Sequence, residues 1–429
     1  MYKIFRQFIC FFAILFAFGV PNRAFSQGTG VRNYRFINGN WFDGKSFRKT
    51  TFFSVNGMLT RKAPPVTDET VDLKGGFVVP PFGDAHCHHF DGDFNIQSLT
   101  EQYIKDGIFY AQTMTNSLIG AKSISNKVNI PSGIDVGYAH ACLTGSDSHP
   151  ILLYEGLGMG IYSPRDQYAK KAEILKSRRR ENDVYFIIDT KEDLEKKWNL
   201  ILAGKPDLIK VILLHSENYA QRKKDTGIGE GIDPELLPEI VKKAHESGLR
   251  VAAHVDSATD YHNALVSGVD IMAHLCGYFI LSEDDIKDYQ LTESDAALTA
   301  KRHVTVIPTA NLVEGIDNLP TRTKANENQI RNLKLLKNAG VSFGIGTDSY
   351  GTDSLKEAMH LNSLGVWSNL ELLKIWCEST PQLIFPKRKI GRLKDGCEAS
   401  FIVMDKNPLL DFENVRTIRL RCKQGLVMP

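Results

Sequence analysis

Apolar and polar positions follow two different rhythms along the 429 residues. Near both ends, apolar residues come in short runs separated by turn residues. Tyr34-Arg35-Phe36-Ile37 precedes Asn38-Gly39-Asn40, and Phe52-Phe53-Ser54-Val55 precedes Asn56-Gly57. Asn-Gly favours hairpins because both residues tolerate positive φ. Towards the other end, Ala399-Ser400-Phe401-Ile402-Val403-Met404 and residues 415–420 read as strands on either side of Asn407-Pro408. Two strand-rich ends around a long middle predict one small β-sandwich domain assembled from both ends of the chain.

The middle alternates strand and helix. Residues 206–214 form a buried-strand run; Asp233 followed by Pro234 predicts a helix start, and Gly248 its end. Next come a strand at 249–255, a helix at 258–266 stopping at Gly268, and a strand at 269–273. A strand at 304–307, a helix at 329–338 closed by Gly340 and a strand at 341–345 complete the series. Strand, helix and strand at this spacing mean parallel strands with crossover helices, in sufficient number to close a (β/α)8 TIM-like barrel of the α/β class. An open doubly wound sheet is the alternative. The expected division is 27–78 with 386–429 for the small domain and 79–385 for the barrel. The charged stretch 162–195, with Lys176 and Arg178 to Arg180, reads as a solvated insertion or helix face. The glycines of 156–160 and 227–231 read as loops, because they do not open a helix after a strand as a dinucleotide site requires.

Composition changes the picture only at the N-terminus. Apolar content of 42%, charged content of 24% and a formal charge of +2 give no reason to expect nucleic acid or an anionic membrane as partner. The partner expected is a small-molecule substrate, with homo-oligomerisation left open. Lys3 and Arg6, an apolar block at 8–20, and Ala24-Phe25-Ser26 together predict a secretory signal peptide over 1–26, with mature protein starting near Gln27. The block is too short to cross a bilayer comfortably, so the protein is expected to be exported, periplasmic or secreted, with no membrane span after cleavage. Export permits disulfides, and Cys397 with Cys422 could pair; scattered, buried free thiols are the default expectation.

Candidate chemistry centres on Asp84-Ala85-His86-Cys87-His88-His89. In a strand, His86 and His88 would share a face about 7 Å apart, and two imidazoles so placed can hold one metal ion, zinc by ligand type. Lys210, His254, His274 and Asp348 also end or sit within strand-like runs. Taken singly, the histidines suit a core and Asp348 suits a turn. Lys210 is harder to explain, because an uncompensated charge on a buried strand is costly. In a parallel barrel all of them would converge on the C-terminal mouth, where active sites form.

This order resembles the amidohydrolase superfamily, within it the imidazolonepropionase-like and secreted dipeptidase-like branch. Its members carry His-x-His on the first barrel strand, a carboxylated lysine on the fourth, histidines on the fifth and sixth, and an aspartate on the eighth. Gly75-Gly76-Phe77-Val78-Val79-Pro80, Ala253-His254, Gly268-Val269-Asp270 leading to Ala273-His274, Gly391-Arg392-Leu393-Lys394-Asp395-Gly396 and Asp405-Lys406-Asn407-Pro408-Leu409 extend the likeness over nearly all of the mature chain. Pro81 replaces a usual glycine and Ser400 a common aspartate, both outside the proposed metal set. The resemblance implies a binuclear centre, with His86, His88 and Asp348 on one divalent ion, His254 and His274 on the other, and Lys210 between them. An ammonium has no lone pair, so Lys210 would take up carbon dioxide as a carbamate, helped by the lowered pKa of a buried lysine. Zinc is the first expectation, with manganese, iron or cobalt able to use the same set. A bridging hydroxide would hydrolyse the carbon–nitrogen bond of a cyclic amide, amide or dipeptide, with Asp348 as the catalytic proton carrier. A non-hydrolytic isomerase or decarboxylase and a catalytically silent binding protein are the rivals. Loops after the strands offer His149, His215, Tyr219 and Tyr278 as substrate contacts, with Glu314 and Tyr350 beside them.

Overall fold

The computed structural model describes residues 32–428, and the expected signal peptide lies outside the described residues. The apolar runs of the middle form parallel strands. They are Phe82–Cys87, Ile108–Thr113, a third position split into Asp135–Tyr138 and Cys142–Thr144, then Leu208–Ile212, Arg250–His254, Ile271–Met272, Thr305–Val306 and Ser342–Phe343. Neighbours pair in that order, all in parallel. The ring closes where Ala85 N–H donates to Ile345 O at 2.8 Å and Asp348 N–H donates to His86 O at 2.8 Å. This closure makes a (β/α)8 barrel and excludes the open sheet.

The helix between strands five and six, Ala258–Ser267, begins with a capping box in which Ser257 and Asp260 satisfy each other's backbone N–H groups. It ends at Gly268, whose φ of 91° suits a residue without a Cβ. Other boundaries move. The helix expected from Asp233 starts at Leu237, after a turn, because Pro238 would otherwise fall in its interior without an N–H to donate. The helix expected at 329–338 begins earlier, as Leu319–Asn338, capped by Asn318 with a proline in its first turn. Gly156 and Gly158 are helical, within Ile151–Gly158, rather than in a loop. The charged stretch conceals a short strand, Tyr185–Ile187, which pairs with Cys142–Thr144.

Both chain ends build an eight-stranded mixed sheet, consistent with the small sandwich. Phe36, Trp41 and Phe401 form its aromatic core, with ring centroids 4.8 Å apart for Phe36–Phe401 and 5.1 Å for Trp41–Phe401. Asn56-Gly57 is the expected hairpin turn, both residues having positive φ. Asn38-Gly39-Asn40 is not a turn; Tyr34–Phe42 continues through it, with a register shift between Phe36 and Gly39. Val79, assigned by sequence to the barrel, pairs with Ile402 in the small sheet, so the chain crosses over at Pro80-Pro81. The cysteines among the described residues are free and buried, so Cys397 and Cys422 are not bonded.

One buried carboxylate holds the loops at the barrel mouth. Glu357, on the helix Ser354–Ser363, accepts from Ala310 N–H at 2.9 Å, Asn311 N–H at 2.7 Å and Asn311 Nδ2 at 3.0 Å. Asn311 Nδ2 also donates to Thr347 O at 2.8 Å, which joins the loops after strands seven and eight. Burial pushes the Glu357 carboxyl up to about 7. Glu357→Gln would aim an amide N–H at a backbone N–H. At pH 8, where the carboxylate is ionised, we expect a stability loss of ~1–3 kcal/mol in urea unfolding. An unchanged midpoint would show that these bonds do not order the mouth.

Candidate metal centre

Strand order and register bring the six polar residues to one end of the barrel. Phe82–Cys87 delivers His86, and His88 follows one residue beyond the strand. Lys210 is the centre of Leu208–Ile212 and shares a face with Ile212, which lines the same cavity. His254 ends the fifth strand and lies in register with Ile212. His274 follows the sixth strand, and Asp348 follows the eighth in a left-handed backbone conformation with φ of 50°.

The side chains meet. Asp348 Oδ1 lies 2.6 Å from His88 Nε2 and 3.3 Å from His86 Nε2, while its Oδ2 lies 3.5 Å from His274 Nδ1. Ring centroids are 4.8 Å apart for His86–His274 and 4.5 Å for His254–His274. Ligand atoms of His86, His274 and Asp348 all fall within 4.8 Å of one another. All six residues line a single cavity of about 250 Å³.

Neighbouring groups fix these orientations. Thr309 Oγ1 sits 2.8 Å from His274 Nδ1, and Asp256 Oδ1 sits 3.1 Å from His254 Nε2. Tyr278 O–H donates to the same Asp256 oxygen at 2.7 Å, and its ring stacks on His274 at 4.5 Å. Beneath the site, buried Asp84 accepts from His86 N–H at 3.3 Å, Thr347 N–H at 3.1 Å, Tyr103 O–H at 3.1 Å and Thr347 Oγ1 at 2.6 Å.

The electrostatics suit cation binding. Burial holds His86 and His274 well below the ordinary imidazole range, so they are neutral and keep a lone pair. Burial works against the His88 cation as well, but its bond to Asp348 outweighs that and lifts its pKa. Burial also disfavours the Asp348 charge, yet the surrounding imidazoles hold its carboxyl well below the usual range. Lys210 is 2% exposed, and its Nζ has no hydrogen-bond partner among the described residues. Burial lowers this amine to about 8. An ammonium left unpaired in a ring of imidazoles is costly; a carboxylated lysine with two divalent ions would turn that cost into ligation. The donor set therefore fits the implied metals and carbamate.

The substrate candidates divide. His149 and Tyr278 line the cavity with Tyr350, and the His149 ring stacks on His254 at 5.1 Å. His215 lies in an adjoining cavity, its Nδ1 3.1 Å from Glu217 Oε1. Tyr219 lines neither. It opens a helix and turns its ring onto Gly229, where a Cβ would lie 2.1 Å from it. Glu314 faces away and pairs with His360 and Lys356. Sequence reading passed over Thr115, Tyr154, Asp256 and Thr309. Only Asp256, two residues beyond a strand-ending histidine, carried a usable signal.

Residues 77–419 match the profile of the amidohydrolase family. The chain belongs to this family. An ochratoxinase from Aspergillus niger is 25% identical over 232 residues, which is 53% of this chain and 46% of that enzyme. The matched segment thus spans about half the length of this curated relative. The crystal structure of A. niger ochratoxinase superposes with a TM-score of 0.69 at 17% identity, covering 92% of this chain and 95% of that one. A Xaa-Pro dipeptidase with bound methionine gives 0.68 at 16% identity, with 92% and 99% covered. A molinate hydrolase gives 0.65 at 15% identity, with 92% and 94% covered. These likenesses establish a shared amidohydrolase fold.

The unpaired Lys210 has a thermodynamic signature. In metal-free, carbon-dioxide-free protein the folded state gives up this proton near pH 8, and the unfolded chain near the ordinary value of 10.5. Between those values the unfolded state binds more protons, so stability should rise with pH, by roughly 3 kcal/mol in all. Lys210→Met should remove that rise in pH-dependent urea unfolding. A slope that persists in the variant would place the titration elsewhere.

Proposed function

We propose that the protein is an exported, metal-dependent amidohydrolase that cleaves the carbon–nitrogen bond of a small amide, cyclic amide or dipeptide. The observation that carries this reading is the buried, unpartnered Lys210 amine within a ring of His86, His88, His254, His274 and Asp348. His86, His88 and Asp348 would hold one divalent cation, His254 and His274 a second, and Lys210 as its carbamate would lie between them. Zinc is the first choice for imidazole and carboxylate donors. Such cations supply Lewis-acid activation of water and of the substrate carbonyl.

The chain's own residues do the rest. The Lys210 amine attacks carbon dioxide and loses a proton, leaving an N-carboxylate with oxygen donors. Asp348, held among three imidazoles, accepts the proton of the attacking water and delivers it to the leaving nitrogen. His149 is pushed down to about 3 by burial, so it stays neutral and can donate one ring N–H to a substrate carbonyl. The names of the relatives support a hydrolytic reading, since a molinate hydrolase and a Xaa-Pro dipeptidase are among them. Among the described residues no helix is long and apolar enough to cross a membrane. The basic and apolar N-terminal pattern supports export, and N-terminal sequencing of the cell-produced protein should begin near Gln27.

Metal analysis tests the centre. Wild type should carry about two divalent ions per chain, and Lys210→Ala should lose the pair. Protein exposed to 13C-labelled bicarbonate should show a carbamate carbon resonance that is missing from Lys210→Ala. Asp348→Asn should lower amide turnover by at least ~100-fold. Full metal loading with no turnover of any amide in a broad library would overturn the hydrolase reading in favour of a binding protein.

A further inference from the structure

The cavity at the metal centre is small for the whole of a substrate. Its volume of about 250 Å³ falls below the roughly 300–1,000 Å³ of ordinary small-molecule sites. A second cavity of about 490 Å³ adjoins it, and Tyr278 and Leu312 line both. Tyr278 stands at their shared boundary and is held in place. Asp256 holds its hydroxyl at 2.7 Å, and its ring is stacked on His274.

The outer cavity is walled by rings and aliphatic groups from distant parts of the chain. Phe279 and Leu281 follow Tyr278 in the loop after strand six, Tyr289 closes one side, and Tyr168 reaches in from the charged stretch. Phe279 is 54% exposed, Leu281 49% and Tyr168 73%, so three large side chains stand open to water around one cavity.

The polar groups of this cavity are already engaged. His215 pairs with Glu217 at 3.1 Å, and Asp284 accepts from Tyr289 O–H at 2.8 Å and Leu281 N–H at 2.8 Å. Asp256 is held by Tyr278 and His254. Beside them stand the side chains of Phe279, Leu281 and Leu312 and the ring of Tyr168.

We propose that this outer cavity is a specificity subsite for an aromatic substituent carried on one side of the scissile carbon–nitrogen bond, with Phe279 and Leu281 as its selecting residues. This deepens the amidohydrolase reading and rests on it for the position of the scissile bond. The substrate class follows: aryl-substituted amides, in which the reacting group enters the inner cavity past Tyr278 and the ring stays between Phe279 and Tyr289.

Two measurements separate the subsite from the chemistry. Binding of 2-naphthylacetamide, followed by its fluorescence, needs no turnover; Phe279→Ala should weaken it at least ~5-fold, and Leu281→Ser should do the same. Metal-loaded enzyme should then be compared on matched amides bearing a methyl or a naphthyl group, on the acyl side and on the amine side. Wild type should favour one naphthyl amide by at least ~10-fold in kcat/KM, and both variants should shrink that ratio. Naphthyl binding that depends on Phe279 without hydrolysis of any amide would keep the subsite and overturn the hydrolase reading. Hydrolysis with no naphthyl preference, or with a ratio unchanged in both variants, would overturn the subsite and leave the hydrolase. Equal loss on methyl and naphthyl amides would also overturn it, because it would show a structural role for these residues.

Discussion

The seam between the first and eighth barrel strands is the constraint on which the site depends. Ala85 and Asp348 donate backbone hydrogen bonds across it, and Asp84 gathers both strand ends by accepting from Thr347 and from the backbone of His86. Gly346 permits this approach. A Cβ there would stand 2.5 Å from His86 N, closer than any real side chain is found. The seam therefore fixes Asp348 against His86 and His88, although 260 residues separate His88 from Asp348. Without the seam, the carboxylate would be a turn residue and the two histidines a polar strand end.

Burial gives those groups their chemical character. Water screens charge, and its exclusion keeps His86 and His274 neutral, lowers the Lys210 amine and makes the Asp348 charge depend on its neighbours. The lowered Lys210 amine costs stability at neutral pH, whereas the lowered Asp348 carboxyl adds to it. The same exclusion reaches outward to Tyr278, whose ring lines both the inner cavity and the outer one. A single loop after strand six thus touches both the chemistry and the proposed selection of substrate.

The small domain is attached by a charged network rather than by apolar contact alone. Lys423 is fully buried, donating to Asp135 at 2.6 Å and to the carbonyls of Ile130 and Gly133 at 2.7 and 2.8 Å. Arg388 joins the other Asp135 oxygen at 2.7 Å and Glu398 at 2.7 Å. Removing one member would strand a buried charge, a loss that typically exceeds what the pair contributes. Ser400, where an aspartate would be common by resemblance, accepts from Gln424 N–H at 3.0 Å and keeps the local turn.

Sequence by itself determined the alternation of strands and helices, because apolar period and Gly or Ser caps are local properties. It also marked Lys210 as out of place on an apolar strand, and the order of polar residues at the strand ends carried the likeness to a family. Only the tertiary structure decided that these side chains share one cavity, that Tyr219 turns onto Gly229 and Glu314 onto His360, and that a second cavity opens beyond Tyr278. Thr115, Thr309 and Tyr154 look like ordinary loop or helix residues in the chain, and Asn38-Gly39 like a turn rather than a bulge. The reason is physical. Periodicity reports which face of an element is apolar, whereas the direction of a side chain and the partner it meets depend on strands closing a ring hundreds of residues apart.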